Sequence, residues 1–280
     1  MNIKILADST CDLPAQLLLE HDITLVPLTV VKGDEQFQDG VTITPAEIFA
    51  HVAAGGGLCS TAAVSIGEYS DLFEKYSREY DGVLHINIGS GFSACHQNAL
   101  LAAEEFDNVG VLDSRNLSTG QGLVVLEACR LAKELDSLDA ILARLEAFRG
   151  KVEASFLVDK LDYLVKGGRC SSAAALGSNL LSLKPCIEVK DGKMSVGKKY
   201  RGSYSKCLAT YVRERLTGRE DIDSKTLFLT YTTVSDDCRT AVTQALAEHG
   251  SFETIYEGTA GCTVSCHCGP DTLGILFVRK

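Results

Sequence analysis

Apolar and polar residues change period along the chain in a regular order. Ile3-Lys4-Ile5-Leu6-Ala7 alternates like a half-buried strand and runs into the polar turn Asp8-Ser9-Thr10-Cys11-Asp12-Leu13-Pro14. Residues 23–31 read as a second strand, and Thr44-Pro45 opens a helix that Gly55-Gly56-Gly57 ends. A small polar turn over 60–65 precedes a helix over 66–80. The apolar run 83–88 predicts a strand, and Gly89-Ser90-Gly91-Phe92-Ser93 turns it into a helix reaching residue 105. Val109-Gly110-Val111-Leu112 is another strand, ending in Asp113-Ser114-Arg115-Asn116, with helices over 120–134 and 137–149. This alternation predicts an α/β domain over residues 1–150, with a mostly parallel sheet covered on both faces. Ligands of such sheets sit outside the carboxyl ends of the strands. Four polar turns answer that description: 8–12, 60–65, 89–93 and 113–116.

Past Gly150 the pattern changes. A strand over 154–158, a short helix over 160–171 and a hairpin, with strands 186–189 and 194–196 about the turn Lys190-Asp191-Gly192-Lys193, come first. A helix over 203–215, a strand over 226–230, a helix over 235–249 and strands over 254–257 and 274–278 complete an α+β domain over 151–280. Three stretches contain no Asp, Glu, Lys or Arg: 83–103, 170–183 and 258–270.

Composition narrows the picture. The 280 residues are 45% hydrophobic, enough for a sizeable core, and Lys+Arg 27 against Asp+Glu 37 gives a net charge of −10. Nucleic acid and anionic membrane surfaces are therefore repelled on average. The eleven cysteines are odd in number and irregular in spacing, and Met-Asn-Ile-Lys-Ile-Leu-Ala-Asp lacks a signal-peptide pattern. These features point to the reducing cytoplasm, with most thiols acting as small buried hydrophobes. No membrane span is expected, since the run 83–103 contains His85, Asn87, His96, Gln97, Asn98 and two glycines.

The turn 89–93 has the makings of an anion cradle, because unpaired N–H groups at a helix start point outward along the helix dipole. Gly89-Ser90-Gly91-Phe92-Ser93-Ala94 also satisfies the dinucleotide pattern G-x-G-x-x-G/A, with Asp113 at the end of the next strand, although its strand is not the chain's first. A hydrolase reading takes Ser93, Asp113 and His267 as nucleophile, acid and base. Cys95 breaks the G-x-S-x-G elbow it needs, and Ser93 is expected inside the first helical turn. Cys262, Cys266 and Cys268 flank His267, but no second cysteine pair completes a zinc set. On a strand or loop, Cys266 and Cys268 would also face away from His267. Arg169 follows two glycines and precedes the run 170–183. A guanidinium buried there needs an anion: an internal carboxylate, or the carboxylate or phosphate of a ligand.

Several motifs occur together and in order. They are Ala7-Asp8-Ser9-Thr10-Cys11-Asp12-Leu13, Thr61 with Ser65-Ile66-Gly67-Glu68-Tyr69, the segment 89–99, Asp113-Ser114, Leu161-Asp162-Tyr163-Leu164 with Lys166-Gly167-Gly168-Arg169, Lys184-Pro185, and His267-Cys268-Gly269-Pro270. In this the whole chain resembles the DegV family of bacterial fatty-acid-binding proteins. The resemblance implies two domains with a long-chain fatty acid in the cleft between them, its carboxylate bound by Thr61 and Ser93 with His267 nearby. Arg169, Ser90 and Gly91 complete the expected ligand-binding set. It also implies a non-catalytic protein without a cofactor, which presents the acid to a separate ATP-dependent fatty acid kinase for conversion to an acyl phosphate in phospholipid precursor metabolism. The chain departs from the family pattern at Ala62-Ala63-Val64 (S-Q-P), Gly89 (Ser), Ala94-Cys95-His96 (G-T-Y) and Asp271 (Gly).

The residues support such a ligand on physical grounds. A carboxylate in a cleft needs neutral donors, which hydroxyls, backbone N–H groups and a histidine supply, and the uncharged runs offer apolar lining. A tail of about 14 methylenes gains roughly 11 kcal/mol at about 0.8 per CH₂, reduced by its ordering. No P-loop pattern is present, so phosphoryl transfer is left to a partner. Arg201 and Lys206, in the basic stretch after Lys198-Lys199, suit either a docking surface for that partner or a solvated face.

Overall fold

The computed structural model describes residues 1–174 and 183–280. The first 150 residues contain strands β1 (Ile3–Asp8), β2 (Thr24–Val26), β3 (Thr29–Lys32), β4 (Glu35–Gln38), β5 (Ser60–Ala62), β6 (Gly82–Asn87) and β7 (Val109–Asp113), and helices α1 (Ala15–Glu20), α2 (Pro45–Ala53), α3 (Ile66–Ser77), α4 (Cys95–Ala103), α5 (Ser118–Glu134) and α6 (Leu138–Arg149). The remainder adds β8 (Val152–Val158), α7 (Asp162–Gly167), α8 (Ser171–Ala174), β9 (Leu183–Lys190), β10 (Lys193–Arg201), α9 (Tyr204–Leu216), β11 (Ile222–Tyr231), α10 (Asp236–His249), β12 (Thr254–Thr259), α11 (Cys262–Cys268) and β13 (Thr272–Arg279).

The first sheet is parallel throughout, in the order β2-β1-β6-β7. The second is mixed, in the order β10-β9-β8-β13-β11-β12, with β11 and β12 its parallel pair. Between the sheets lies α5. Its residues are buried through nearly the whole first half, and its apolar side chains join those of both sheets in one core that crosses residue 150. The other face of the second sheet is closed by α9 and α10 around a separate core containing Leu208, Val212, Val242 and Phe277. This is the mixed α/β architecture expected from the alternation of periods.

Helix starts follow local chemistry. Thr44 and Ser65 form complete capping boxes with Glu47 and Glu68, and Ser137 and Ser235 accept from the backbone three residues on. Four local expectations fail. The strand expected over 23–31 divides at Pro27-Leu28 into β2 and β3, which belong to different sheets, since proline has no N–H for the ladder. The turn expected over 60–65 opens as β5, an edge of the small antiparallel sheet β4-β3-β5. Ser93 precedes α4 instead of lying in its first turn. The run 258–270 is neither strand nor loop at its centre, because residues 262–268 coil into α11. The run 170–183 falls partly outside the described residues, at 175–182.

At the carboxyl end of the parallel strands sits a buried carboxylate. Asp8 Oδ1 accepts from Tyr69 Oη (2.7 Å), His85 Nε2 (3.0 Å) and Asn87 Nδ2 (3.3 Å), and Oδ2 accepts from the Ile88 N–H (2.8 Å). All four side chains are fully buried. The cluster ties β1 to β6 and holds the first residue of the turn 88–93.

Candidate functional site

A cavity between the two halves is lined by Leu28, Thr61, Ala63, Ile88, Phe92, Ser93, Leu117, Arg169, Met194 and four residues of α11. It holds about 40 Å³ of space open to water, room for about one molecule. A second cavity of about 30 Å³, walled by Ala154, Phe156, Val189 and Leu276, continues behind it. Leu117, Val264 and Cys268 line both.

Helical periodicity explains what α11 offers. Thr263 and His267 lie one turn apart facing the cavity, as do Val264 and Cys268, while Cys262 and Cys266 pack against Val30, Ile43 and Ile48 on the far side. The start of α11 is held by carboxylates from the first half of the chain. Asp12 Oδ1 accepts from the Gly261 N–H (2.9 Å), and Asp39 accepts from the N–H groups of Cys262 (2.8 Å) and Thr263 (3.3 Å).

His267 meets Thr61 across the interface, Nε2 to Oγ1 at 2.8 Å. Its Nδ1 is buried with no hydrogen-bond partner among the described residues. A proton on Nε2, donated to Thr61, leaves only a lone pair at Nδ1, whereas the other tautomer would bury an unmatched N–H. Thr61 is thus an acceptor from His267, and its own hydroxyl proton is free for a third group. Burial, reinforced by the positive charge of Arg169, pushes the His267 pKa down to about 4, so the ring is neutral at neutral pH. Gly167 lets the ring come so close: a Cβ at that position would lie 2.6 Å from Nδ1.

Ser93 stands across the cavity in the turn before α4. Its hydroxyl donates to Cys95 Sγ (3.1 Å) and accepts from the Cys95 N–H (3.3 Å). Sulfur is a weak acceptor, so that proton too is readily drawn to an oxygen anion. Thr263 Oγ1 is buried and unpartnered among the described residues. Its only sequence signal is its place four residues before His267, which brings the two together as one turn when 262–268 is helical.

Of the residues singled out from sequence, Thr61, Ser93, His267 and Arg169 meet in this cavity. Arg169 is exposed at the mouth, contrary to the buried guanidinium expected, and donates to the carbonyls of Gly167 (2.6 Å) and Phe92 (3.3 Å). The left-handed Gly168 (φ 69°) ends α7 and turns it there. Ser90 and Gly91 do not line the cavity. Ser90 donates to Asp113 Oδ2 (2.6 Å), and a Cβ on Gly91 would lie 2.3 Å from the carbonyl oxygen of Gly192, so the β9–β10 turn occupies the space a headgroup or dinucleotide phosphate would need. Asp113 accepts from Ser90 and from the Arg115 N–H, and bonds neither Ser93 nor His267. The three parts of the hydrolase reading are therefore not joined. Arg201 and Lys206 are exposed and outside the cavity wall. All eleven thiols are free and buried, and no group of three or more metal-binding side chains occurs among the described residues.

Comparison with known proteins agrees with this architecture. The family model described as "Uncharacterised protein, DegV family" matches residues 2–280. A DegV domain-containing protein of Clostridium acetobutylicum is 34% identical over 281 residues, covering 99% of both chains. Among solved structures, a fatty-acid-binding DegV family protein from Thermus thermophilus superposes with a TM-score of 0.90 at 32% identity, covering 100% of each chain. A stearic acid-binding protein from Eubacterium ventriosum gives 0.83 at 27% identity, covering 99% of this chain and 98% of its own. The chain belongs to the DegV family.

Proposed function

We propose that this chain binds a long-chain fatty acid, with the carboxylate at Thr61, Ser93 and Thr263, His267 behind Thr61 and Arg169 at the mouth. The observation that carries the reading is the Thr61–His267 pair, which leaves a hydroxyl proton aimed at no group of its own in a cavity otherwise walled by Leu28, Ile88, Phe92, Leu117 and Val264. Neutral donors suit one negative charge that must be desolvated along with an apolar tail. The tail runs past Leu117, Val264 and Cys268 into the second cavity, whose wall is almost wholly apolar. Both cavities are far smaller than a long acyl chain, so loading separates the side chains of that shared seam. Fatty acid binding by the relatives from Thermus thermophilus and Eubacterium ventriosum, at matching fold, supports the same ligand class here.

In this reading the protein is a cytoplasmic, non-catalytic carrier that presents its ligand to an ATP-dependent kinase in trans, with Arg201 and Lys206 as docking residues. Its eleven free thiols suit a reducing compartment. Extraction of the purified protein with organic solvent, followed by mass spectrometry, should yield fatty acid in stoichiometric amount. Protein from lipid-supplemented cells that yields none would refute the reading.

A further inference from the structure

A cleft of about 330 Å³, sharing no lining residue with the Thr61–Ser93 cavity, opens between Arg115-Asn116 and Arg149-Gly150 of the first half and the β9–β10 turn of the second. Six cationic side chains line it: Arg115 and Arg149 from the first half, Lys190, Arg215, Arg219 and Arg279 from the second. Among the described residues, the acids on its wall are Glu153, Glu188 and Asp191. Such a concentration of positive charge is unexpected in a chain of net charge −10.

Internal pairing accounts for part of it. Arg215 bridges Glu153 (3.1 Å) and Glu188 (2.9 Å), Arg219 bridges Glu153 and Asp221, and Arg149 pairs with Glu146 while donating to the Asp113 carbonyl. The rest is left over. Arg115 and Lys190 have no side-chain hydrogen bond or ion pair among the described residues, and the closest contact of Arg279 is to the Gly150 carbonyl, with Glu153 at 4.0 Å. Arg149 is nine-tenths buried, yet its Nε has no partner among the described residues, and the Nε of Arg215 is likewise buried and unmatched among them. Arg115 and Arg149 are close enough for their charges to repel, and burial together with that repulsion lowers the Arg149 pKa. Buried guanidinium N–H groups beside like charges call for an oxygen-rich anion.

We propose that this cleft is a binding site for a compact, multiply charged phosphate compound, distinct from the fatty acid cavity and independent of what that cavity holds. Forked guanidiniums from both halves match tetrahedral phosphate oxygens, the volume admits two phosphoryl groups, and the charged walls do not suit an acyl chain. Because Arg115 and Lys190 flank the turn whose Gly192 carbonyl rests on Gly91, the anion would clamp the β9–β10 turn onto the end of the parallel sheet.

Titration calorimetry on the full chain with sodium pyrophosphate, inorganic phosphate and ATP tests the site. Pyrophosphate is expected to bind at least about tenfold more tightly than phosphate, with affinity falling as salt rises. ATP binding more tightly still assigns the cleft to a nucleotide, and ATP binding equally assigns it to the polyphosphate alone. The exposed pair Arg115→Gln with Arg279→Gln should weaken pyrophosphate about tenfold or more, while Arg78→Gln, on the distant α3 end, should not. Hydrogen exchange on the unmutated protein adds a readout free of folding effects: pyrophosphate should protect residues 113–117 and 188–193. No binding at millimolar pyrophosphate, unchanged affinity in the double variant, or protection elsewhere would mean that the arginines form an ion-pair network only.

Discussion

Two polar clusters flank the turn 88–93, and they differ in what they leave unsatisfied. Around Asp8, one carboxylate takes hydrogen bonds from a tyrosine, a histidine, an asparagine and a backbone N–H, and apart from His85 Nδ1 its side chains are matched. Around Thr61 the inventory is similar, hydroxyls and a histidine, but no acid lines the cavity among the described residues. Thr263 Oγ1 and His267 Nδ1 lack partners, and Ser93 gives its proton to a sulfur. A buried network whose donors are all placed on one carboxylate holds strands in register and has no donor to offer a ligand. An unsaturated one, placed on a cavity, has donors in reserve.

Asp8→Ala has the largest expected effect. It removes the shared acceptor of Tyr69 Oη, Asn87, His85 and the Ile88 N–H at once, and should cost on the order of 3–5 kcal/mol by urea unfolding. A loss below about 1 kcal/mol would make the Asp8 cluster no more structural than the other. Gly167→Ala comes next: the added methyl displaces the His267 ring, for a destabilisation of about 1–3 kcal/mol and a loss of bound fatty acid in the extraction assay.

Part of the pH dependence of stability rests on His267. Unfolded, His267 titrates near 6.5; folded, near 4. Between those values the unfolded chain binds the extra proton, so stability rises with pH through the window and is complete above it, at a slope of at most about 1.4 kcal/mol per pH unit from this group. His267→Gln should remove that contribution, and unfolding curves at pH 4.5, 5.5 and 7 that superpose on those of the unaltered chain would show the ring to be solvated. The smallest change in stability belongs to Ser93→Ala and Thr61→Val, each within about 1 kcal/mol. Both should nonetheless reduce bound fatty acid, and a variant that retains it fully would remove that hydroxyl from the site.

Much of this was legible in the chain. Thr44 and Ser65 announce their helices because a capping box lies within four residues, and β6 is evident because Val83, Leu84 and Ile86 stand in an uncharged run buried on both faces. Thr61, Ser93 and His267 were found through motif order. The failures share a cause. Asp39 is an unremarkable loop acid until it caps a helix more than two hundred residues away, and Thr263 gains its neighbour only once 262–268 is helical. Arg115, Lys190 and Arg279 are separate surface charges in sequence, gathered only when the β9–β10 hairpin folds against the end of β7.

Residue order alone sets the period of most elements, most helix starts, the mixed α/β class with a parallel sheet at the N-terminus, and the residue types able to hold a carboxylate. These depend on contacts a few residues long, where hydrophobic spacing and capping act. The tertiary structure decided which of those residues meet. It turned Ser90 toward Asp113 and Ser93 toward the cavity, pressed Gly192 onto Gly91 where a ligand had been expected, and set His267 on Thr61. Such pairings depend on how two sheets pack about α5, and packing between distant segments leaves no periodic trace along the chain.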